Sequence, residues 1–347
     1  MLNVSDLLYY SMLYLTGTLG VLFFFLHCRE MQKPILYSLI YLASLVLNWL
    51  IIQNVGPVSL INSILFLGIT VIMVYHPWSI KHGILIFYIT AALIIFNIIT
   101  SDSRRILINS SNYISVLLVL ACSFYYIALE NHVGRIRLID LIPAGLCFFI
   151  SVWAEGRGGI ITCAFLLIML LVLYMRTAYD SKIKRTILFV VILILAMVIL
   201  YIMNYDLVEV FLGLGKFESR GFHIGDRMYI WGSYISKARE SVFYFLFGAP
   251  LEQIPVVAMF NGNTHNSFLQ LHAFCGLITL VITIFLILKS LYFYIKSRQY
   301  IIAIMMLTVV LRGLSDKFIF GQYGMPIMLF FIWLPFFQRN HNNTMNK

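Results

Sequence analysis

Charge is what this sequence has least of. Only 11% of its 347 residues are charged, too few to coat a soluble domain of that length. Acidic residues are the scarcer sign, 14 against 24 basic ones. The five cysteines (Cys28, Cys122, Cys147, Cys163 and Cys275) sit in or beside apolar stretches with no ligand-like spacing. They read as small core hydrophobes, which argues against a disulfide framework or a cysteine metal site. No Gly-rich phosphate loop with its lysine is present, so direct use of ATP is excluded. There is also no Asp-x-Asp run to hold a metal and a nucleotide-sugar, and no Gly-x-Ser-x-Gly nucleophile turn. Internal repeats and low-complexity tracts are absent as well.

What the chain has in abundance is apolar residues, 61% of the total, with a mean hydropathy of +0.93. They come in blocks that are apolar all round rather than in stripes, so those blocks have no face to offer water and their solvent is lipid. A membrane-crossing helix needs about 20 such residues. On that measure spans are expected near 7–26, 35–52, 58–75, 83–99, 113–129, 138–153, 159–175, 186–203, 266–288, 300–314 and 318–337. The expectation is an all-α integral membrane protein with about eleven transmembrane helices. It forms one polytopic domain: an N-terminal helical bundle over 1–203, a large loop over 204–264 and C-terminal helices over 265–347. Sheet is not expected, since lipid admits only helices or closed barrels and barrel alternation is missing. The first span lacks a basic leader and a cleavage site, and is expected to be a retained helix.

The net charge of +10 is not a nucleic-acid footprint, because the basic residues fall in short clusters between spans. Arg29 and Lys33, Arg135 and Arg137, the group Arg176, Lys182, Lys184 and Arg185, and the group Lys289, Lys296 and Arg298 all fall on one side. The positive-inside rule makes that side cytoplasmic and puts 204–264 outside, with Arg104 and Arg105 as counter-examples. Within the loop, Met228, Trp231, Ile235, Ala238 and Val242 recur at helical spacing. They predict an interfacial amphipathic helix with Trp231 at headgroup level. Gly248-Ala249-Pro250 would end it, Asn261-Gly262-Asn263 would turn, and Asn263 or Thr264 would cap a helix starting at His265.

Charge at the edge of lipid needs a reason. Arg157 lies in the turn Trp153-Ala-Glu155-Gly-Arg157-Gly-Gly159, where its fork could bind a phosphate or pyrophosphate; it could equally be a snorkelling arginine paired with Glu155. Arg227, preceded by Arg220 and His223, shares a helix face with Trp231 and is aimed at the headgroup layer. There it could meet a lipid-linked pyrophosphate or ordinary anionic lipid. His265, in Thr264-His265-Asn266-Ser267, could take a proton from a sugar hydroxyl, though a lone interfacial histidine is more often structural. His272 lies two turns further on, and a metal pair with His265 lacks any acidic ligand. Arg312 and Asp316 are one turn apart and could pair, with Lys317 beside them.

The order of these pieces resembles the O-antigen ligase and Wzy-type polymerase superfamily of bacterial envelope enzymes. The matching runs are Glu155-Gly-Arg157-Gly-Gly, Asp226-Arg227-Met-Tyr-Ile-Trp231, Gly248-Ala-Pro, His265-Asn-Ser-Phe-Leu-Gln-Leu-His272-Ala-Phe-Cys-Gly276 and Arg312-Gly-Leu-Ser-Asp316. They cover roughly residues 150–337, and the early spans match only in hydropathy. The resemblance implies an inner-membrane glycosyltransferase whose donor is an undecaprenyl pyrophosphate-linked glycan on the periplasmic side. Its acceptor would be a second glycan (polymerase) or lipid A-core (ligase), with a chain-length regulator as a further partner and no cofactor or metal. It also implies that Arg157, Arg227 and His265 carry the reaction, with Arg220, His223, Trp231, Asn266, His272, Arg312 and Asp316 around the substrate. The competing classes are a transporter of lipid-linked sugar, which would place charge at mid-membrane, and a structural scaffold.

Overall fold

The computed structural model describes residues 4–26, 32–101, 112–154, 157–177, 224–320 and 324–345. Among them there are helices and turns and no strand. Seven helices precede the loop: α1 (Val4–Leu26), α2 (Gln32–Ile51), α3 (Pro57–Tyr75), α4 (Ile80–Ser101), α5 (Asn112–His132), α6 (Ile142–Trp153) and α7 (Arg157–Thr177). Then come α8 (Ile224–Arg239), α9 (Val242–Phe247), the single turn α10 (Pro255–Ala258), α11 (Ser267–Lys296), α12 (Tyr300–Ser315) and α13 (Met325–Met345).

Six stretches are long and apolar enough to cross a membrane: Pro34–Ile51, Pro57–Tyr75, Ile80–Asn97, Tyr113–His132, Gly158–Arg176 and Ser267–Lys296. Ser11–Leu26, Leu138–Trp153, Tyr300–Ser315 and Met325–Phe337 are shorter apolar helices. Among the described residues the fold is all-helical, with stretches that fit an integral membrane protein, and helices stand at ten of the eleven expected positions. The eleventh, 186–203, lies outside the described residues, as do Cys28, Arg104, Arg105, Glu155, Lys182, Lys184, Arg185, Arg220 and His223. The last expected span begins later than hydropathy suggested. Phe318 and Ile319 are apolar, but their backbone N–H groups donate to the Ser267 hydroxyl (2.9 and 3.1 Å), and this holds them in a turn ahead of α13.

The chain divides into two compact units, one of residues 1–77, 226–298 and 309–347, the other of 78–225 and 299–308. In the first, α1 and α3 cross at glycines: a Cβ on Gly17 or Gly20 would collide with Leu65 or with the Gly68 backbone. Close backbone approach of this kind is how helices associate in lipid. Helix α11 packs on α2 and α13, tied by Tyr37–Thr283 (3.0 Å) and Ser44–Thr279 (2.8 Å) hydroxyl pairs. Pro335, inside α13, has no N–H for the carbonyl four residues back. That carbonyl, Phe331 O, instead receives the Tyr294 hydroxyl at 2.6 Å.

In the second unit α4 packs on α5, and α5, α6 and α7 pack together. Gly83 lies against the α5 backbone and Gly159 against Ser115. The α5–α6 corner is fixed by the buried Asp140. It takes the Arg137 guanidinium (3.0 Å) and backbone N–H and the Tyr125 hydroxyl (2.9 Å).

Candidate functional site

The loop ahead of α11 is anchored by a break in that helix. Gly276 leaves the helical region (φ 75°, ψ 180°), where the Leu246 carbonyl lies too close for any Cβ. Below the break, 277–296 is about 30 Å long, the thickness of a bilayer's hydrocarbon core. Above it, 267–275 carries the polar residues. The break frees the Ala273 carbonyl, which accepts from both Asn48 Nδ2 (2.8 Å) and Asn54 Nδ2 (2.9 Å). Asn54 also donates to Ala249 O and accepts from Leu251 N, each at 2.8 Å. Neither asparagine was singled out from the sequence; polar residues at the end of an apolar run were the available signal.

Helix α8 lies over this region, and of the residues it buries against protein only Ala238 belongs to the stripe expected at the membrane interface. Ile230, Tyr234 and Ala238 are buried, against Ala249, Leu251, Ile254, Val257 and Ala273. Met228, Ile235 and Val242 are exposed. The apolar residues of this helix fall on two sides, and the sequence does not say which side meets protein. Trp231 is half-buried, with its indole N–H donating to Thr264 O at 3.0 Å. A groove of about 530 Å³ opens along α8 between Tyr229, Ser236 and Gln253, and none of Arg227, His265 and Asp316 lines it. The charged chemistry lies elsewhere.

That chemistry gathers where the turn before α11 meets the segment after α12. Phe260 O accepts from Asn263 N at 3.0 Å across Asn261 and Gly262, both at positive φ, a tight turn as expected. His265 is also at positive φ (50°), a conformation that costs a non-glycine residue about 1–2 kcal/mol. Helix α11 then starts two residues later than expected. Its cap is Asn266, whose side-chain oxygen accepts from Phe268 N (2.9 Å) and Leu269 N (3.1 Å). Asn266 Nδ2 donates to Leu314 O at 3.3 Å, so this side chain is spent on structure, not on a ligand. Ser267 stitches the two segments further by donating to Asp316 O at 2.7 Å.

This stitching sets Asp316 Oδ1 3.9 Å from His265 Nδ1, ion-pair range though longer than a hydrogen bond. Nδ1 is buried and has no hydrogen-bond partner among the described residues, while the ring meets Phe260 edge to face. Asp316 is held in turn by Arg312, as expected, through Nη2 at 3.3 Å. Arg312 is almost fully buried, and also donates to the Ser315 hydroxyl (2.9 Å). It therefore backs the carboxylate rather than facing a substrate. Burial lowers the His265 pKa; Asp316 opposes this, and the positive charges of Arg227 and Lys317 lower it further. The net direction favours the neutral ring, the form able to accept a proton. Burial also lowers the Lys317 pKa, with Asp316 opposing.

Of the residues expected around a substrate, the structure brings Arg227, His265, Asp316 and Arg312 into one electrostatic cluster. His272 stands apart: the Tyr234 hydroxyl lies 2.6 Å from Nδ1 and Phe245 O 2.9 Å from Nε2, leaving neither nitrogen for a sugar or an ion. Arg157 is the first residue of α7, in the other unit.

Residues 142–284 match the family model described as O-antigen ligase. No curated protein and no solved structure matches the chain. The matched segment contains Arg157, Arg227 and His265, and Asp316 lies beyond it. The resemblance read from the sequence and the family model thus agree, and the match supports placing this chain in the O-antigen ligase and Wzy-type polymerase superfamily.

Proposed function

We propose that the chain is a glycosyltransferase of the bacterial inner membrane. It would use an undecaprenyl pyrophosphate-linked glycan on the periplasmic side, as a polymerase of O-antigen or capsule repeat units. The observation that carries the reading is the half-buried His265, flanked by Asp316 at 3.9 Å and lying in the field of Arg227. With Nδ1 turned to Asp316, Nε2 is the nitrogen left to receive the acceptor hydroxyl's proton. The hydroxyl oxygen bonds to the anomeric carbon as the bond to the pyrophosphate oxygen breaks. The electron pair leaves with undecaprenyl pyrophosphate, and a single displacement inverts the anomeric centre. Asp316 stabilises the imidazolium that forms, much as a carboxylate does beside a catalytic histidine. Arg157 and Arg227 are assigned to the pyrophosphate, whose leaving charge they neutralise without a metal.

A ligase, moving the finished glycan to lipid A-core, is the second reading, favoured by the description of the matched family model. Both readings share the donor chemistry, and a gel of the cell's lipopolysaccharide separates them. Loss of a polymerase leaves core capped with one repeat or removes capsule. Loss of a ligase leaves bare core and accumulates lipid-linked polymer. Normal polysaccharide in cells carrying His265→Ala at ordinary protein levels would sink both.

A further inference from the structure

We infer that Gln270 is a positioning residue for His265, holding the 262–266 turn in the conformation from which the imidazole works. The inference rests on His265 acting as the base. Gln270 is 2% exposed, and its whole amide is turned back on the turn. Oε1 accepts from Thr264 N (3.1 Å) and from the Thr264 hydroxyl (3.0 Å), while Nε2 donates to Gly262 O (3.1 Å). From the other side the Trp231 indole grips Thr264 O. Asn263 Oδ1 takes His265 N at 2.8 Å.

Gly262 O, Thr264 N, Thr264 O and His265 N are thus committed to side chains, while Asn266 O takes the first helical bond, from Gln270 N. A left-handed histidine needs such commitment, because its neighbours must supply what its own backbone preference does not. Gln270 sits on the first turn of α11, so it refers the turn to a helix fixed in the bundle. Buried amides seldom go unpaired, and here each polar atom of the side chain has one destination, the turn itself. The groups facing the His265 ring are Asp316 and Lys317 from the segment after α12 and Arg227 from α8, with Arg312 behind Asp316. The ring's distance from each depends on where the turn is held.

The test uses the full chain in membranes with the host's own lipid-linked glycan as donor. Gln270→Met keeps the side-chain volume and removes the three contacts. The expected result is a fall in kcat of about 10²-fold with KM for the donor little changed, the loss typical of a group displaced by about an ångström. The acid limb of the rate profile should also move to higher pH, as the released imidazole becomes hydrated and easier to protonate. Thr264→Val removes the hydroxyl alone, keeps the fold, and should shift both quantities the same way by a smaller amount. Should Gln270→Met keep both kcat and acid limb while His265→Ala is inactive, this inference fails and the proposed function stands. The same holds if Gln270→Met does not accumulate and Thr264→Val leaves both quantities unmoved. Full activity in His265→Ala overturns both.

Discussion

The turn that carries His265 and the helix face that carries His272 lie two helical turns apart and hold the same side chain, yet the molecule treats them oppositely. Both rings are largely buried. The second has a partner at each nitrogen, a tyrosine hydroxyl and a backbone carbonyl, and its neighbours close into an apolar core. The first has a nitrogen without a hydrogen bond, a strained backbone and charges of both signs around it. Buried polar groups are normally satisfied. The histidine that is not, at a position the fold strains to maintain, is the one left available for chemistry.

Substitution at the two histidines should break this contrast most sharply. His265→Ala is expected to cut glycan transfer by about 10²- to 10⁴-fold, the range for losing a general base, with protein level and thermal midpoint close to those of the parent. His272→Ala is expected to do the reverse. It takes one partner each from the buried Tyr234 hydroxyl and from Phe245 O and costs about 1–3 kcal/mol for each, read as a lower midpoint in detergent, with the rate per folded molecule retained.

The charges around His265 sharpen the comparison through pH. Transfer requires neutral imidazole, so activity falls as pH drops through the His265 pKa. Arg227 pushes that pKa down and Asp316 pulls it up. Asp316→Asn should therefore move the acid limb to lower pH, while lowering kcat by about 10²-fold through lost orientation. Arg227→Gln should move the acid limb to higher pH and raise KM for the donor. Acid limbs that move together, or not at all, would contradict the cluster. The smallest effect is expected from Gly248→Ala. Its φ of 98° and a Cβ 2.6 Å from the His272 and Ala273 carbonyls should cost about 1–3 kcal/mol, seen as a lower thermal midpoint with the acid limb unmoved.

Much of this was legible in the sequence, for reasons that also mark where it stopped. Hydropathy located the described helices because lipid demands long apolar blocks, and its clearest overrun among them is at 318–320, where a serine hydroxyl holds apolar residues in a turn. The Arg312–Asp316 pair and the Asn261-Gly262 turn follow from local spacing, which a sequence states outright. That Ile230 and Tyr234 form a second apolar face of α8, packed on protein, was not read, because periodicity alone does not say which of two apolar faces meets protein. Asn266 caps α11 through Phe268 and Leu269, a local role, and also reaches Leu314; the partners of His272, Tyr234 and Phe245, are distant in sequence and could not be read from it. Gln270 lies within the matching run from His265 to Gly276 but was given no role there, and Asn54 belongs to no motif; its partners Ala249, Leu251 and Ala273 are all distant in sequence.

The most direct test compares His265→Ala with His272→Ala in purified, membrane-reconstituted protein, following release of undecaprenyl pyrophosphate from the lipid-linked glycan. The account predicts that release is lost in the first and continues at the parental rate per folded molecule in the second. Parental release from His265→Ala would contradict it.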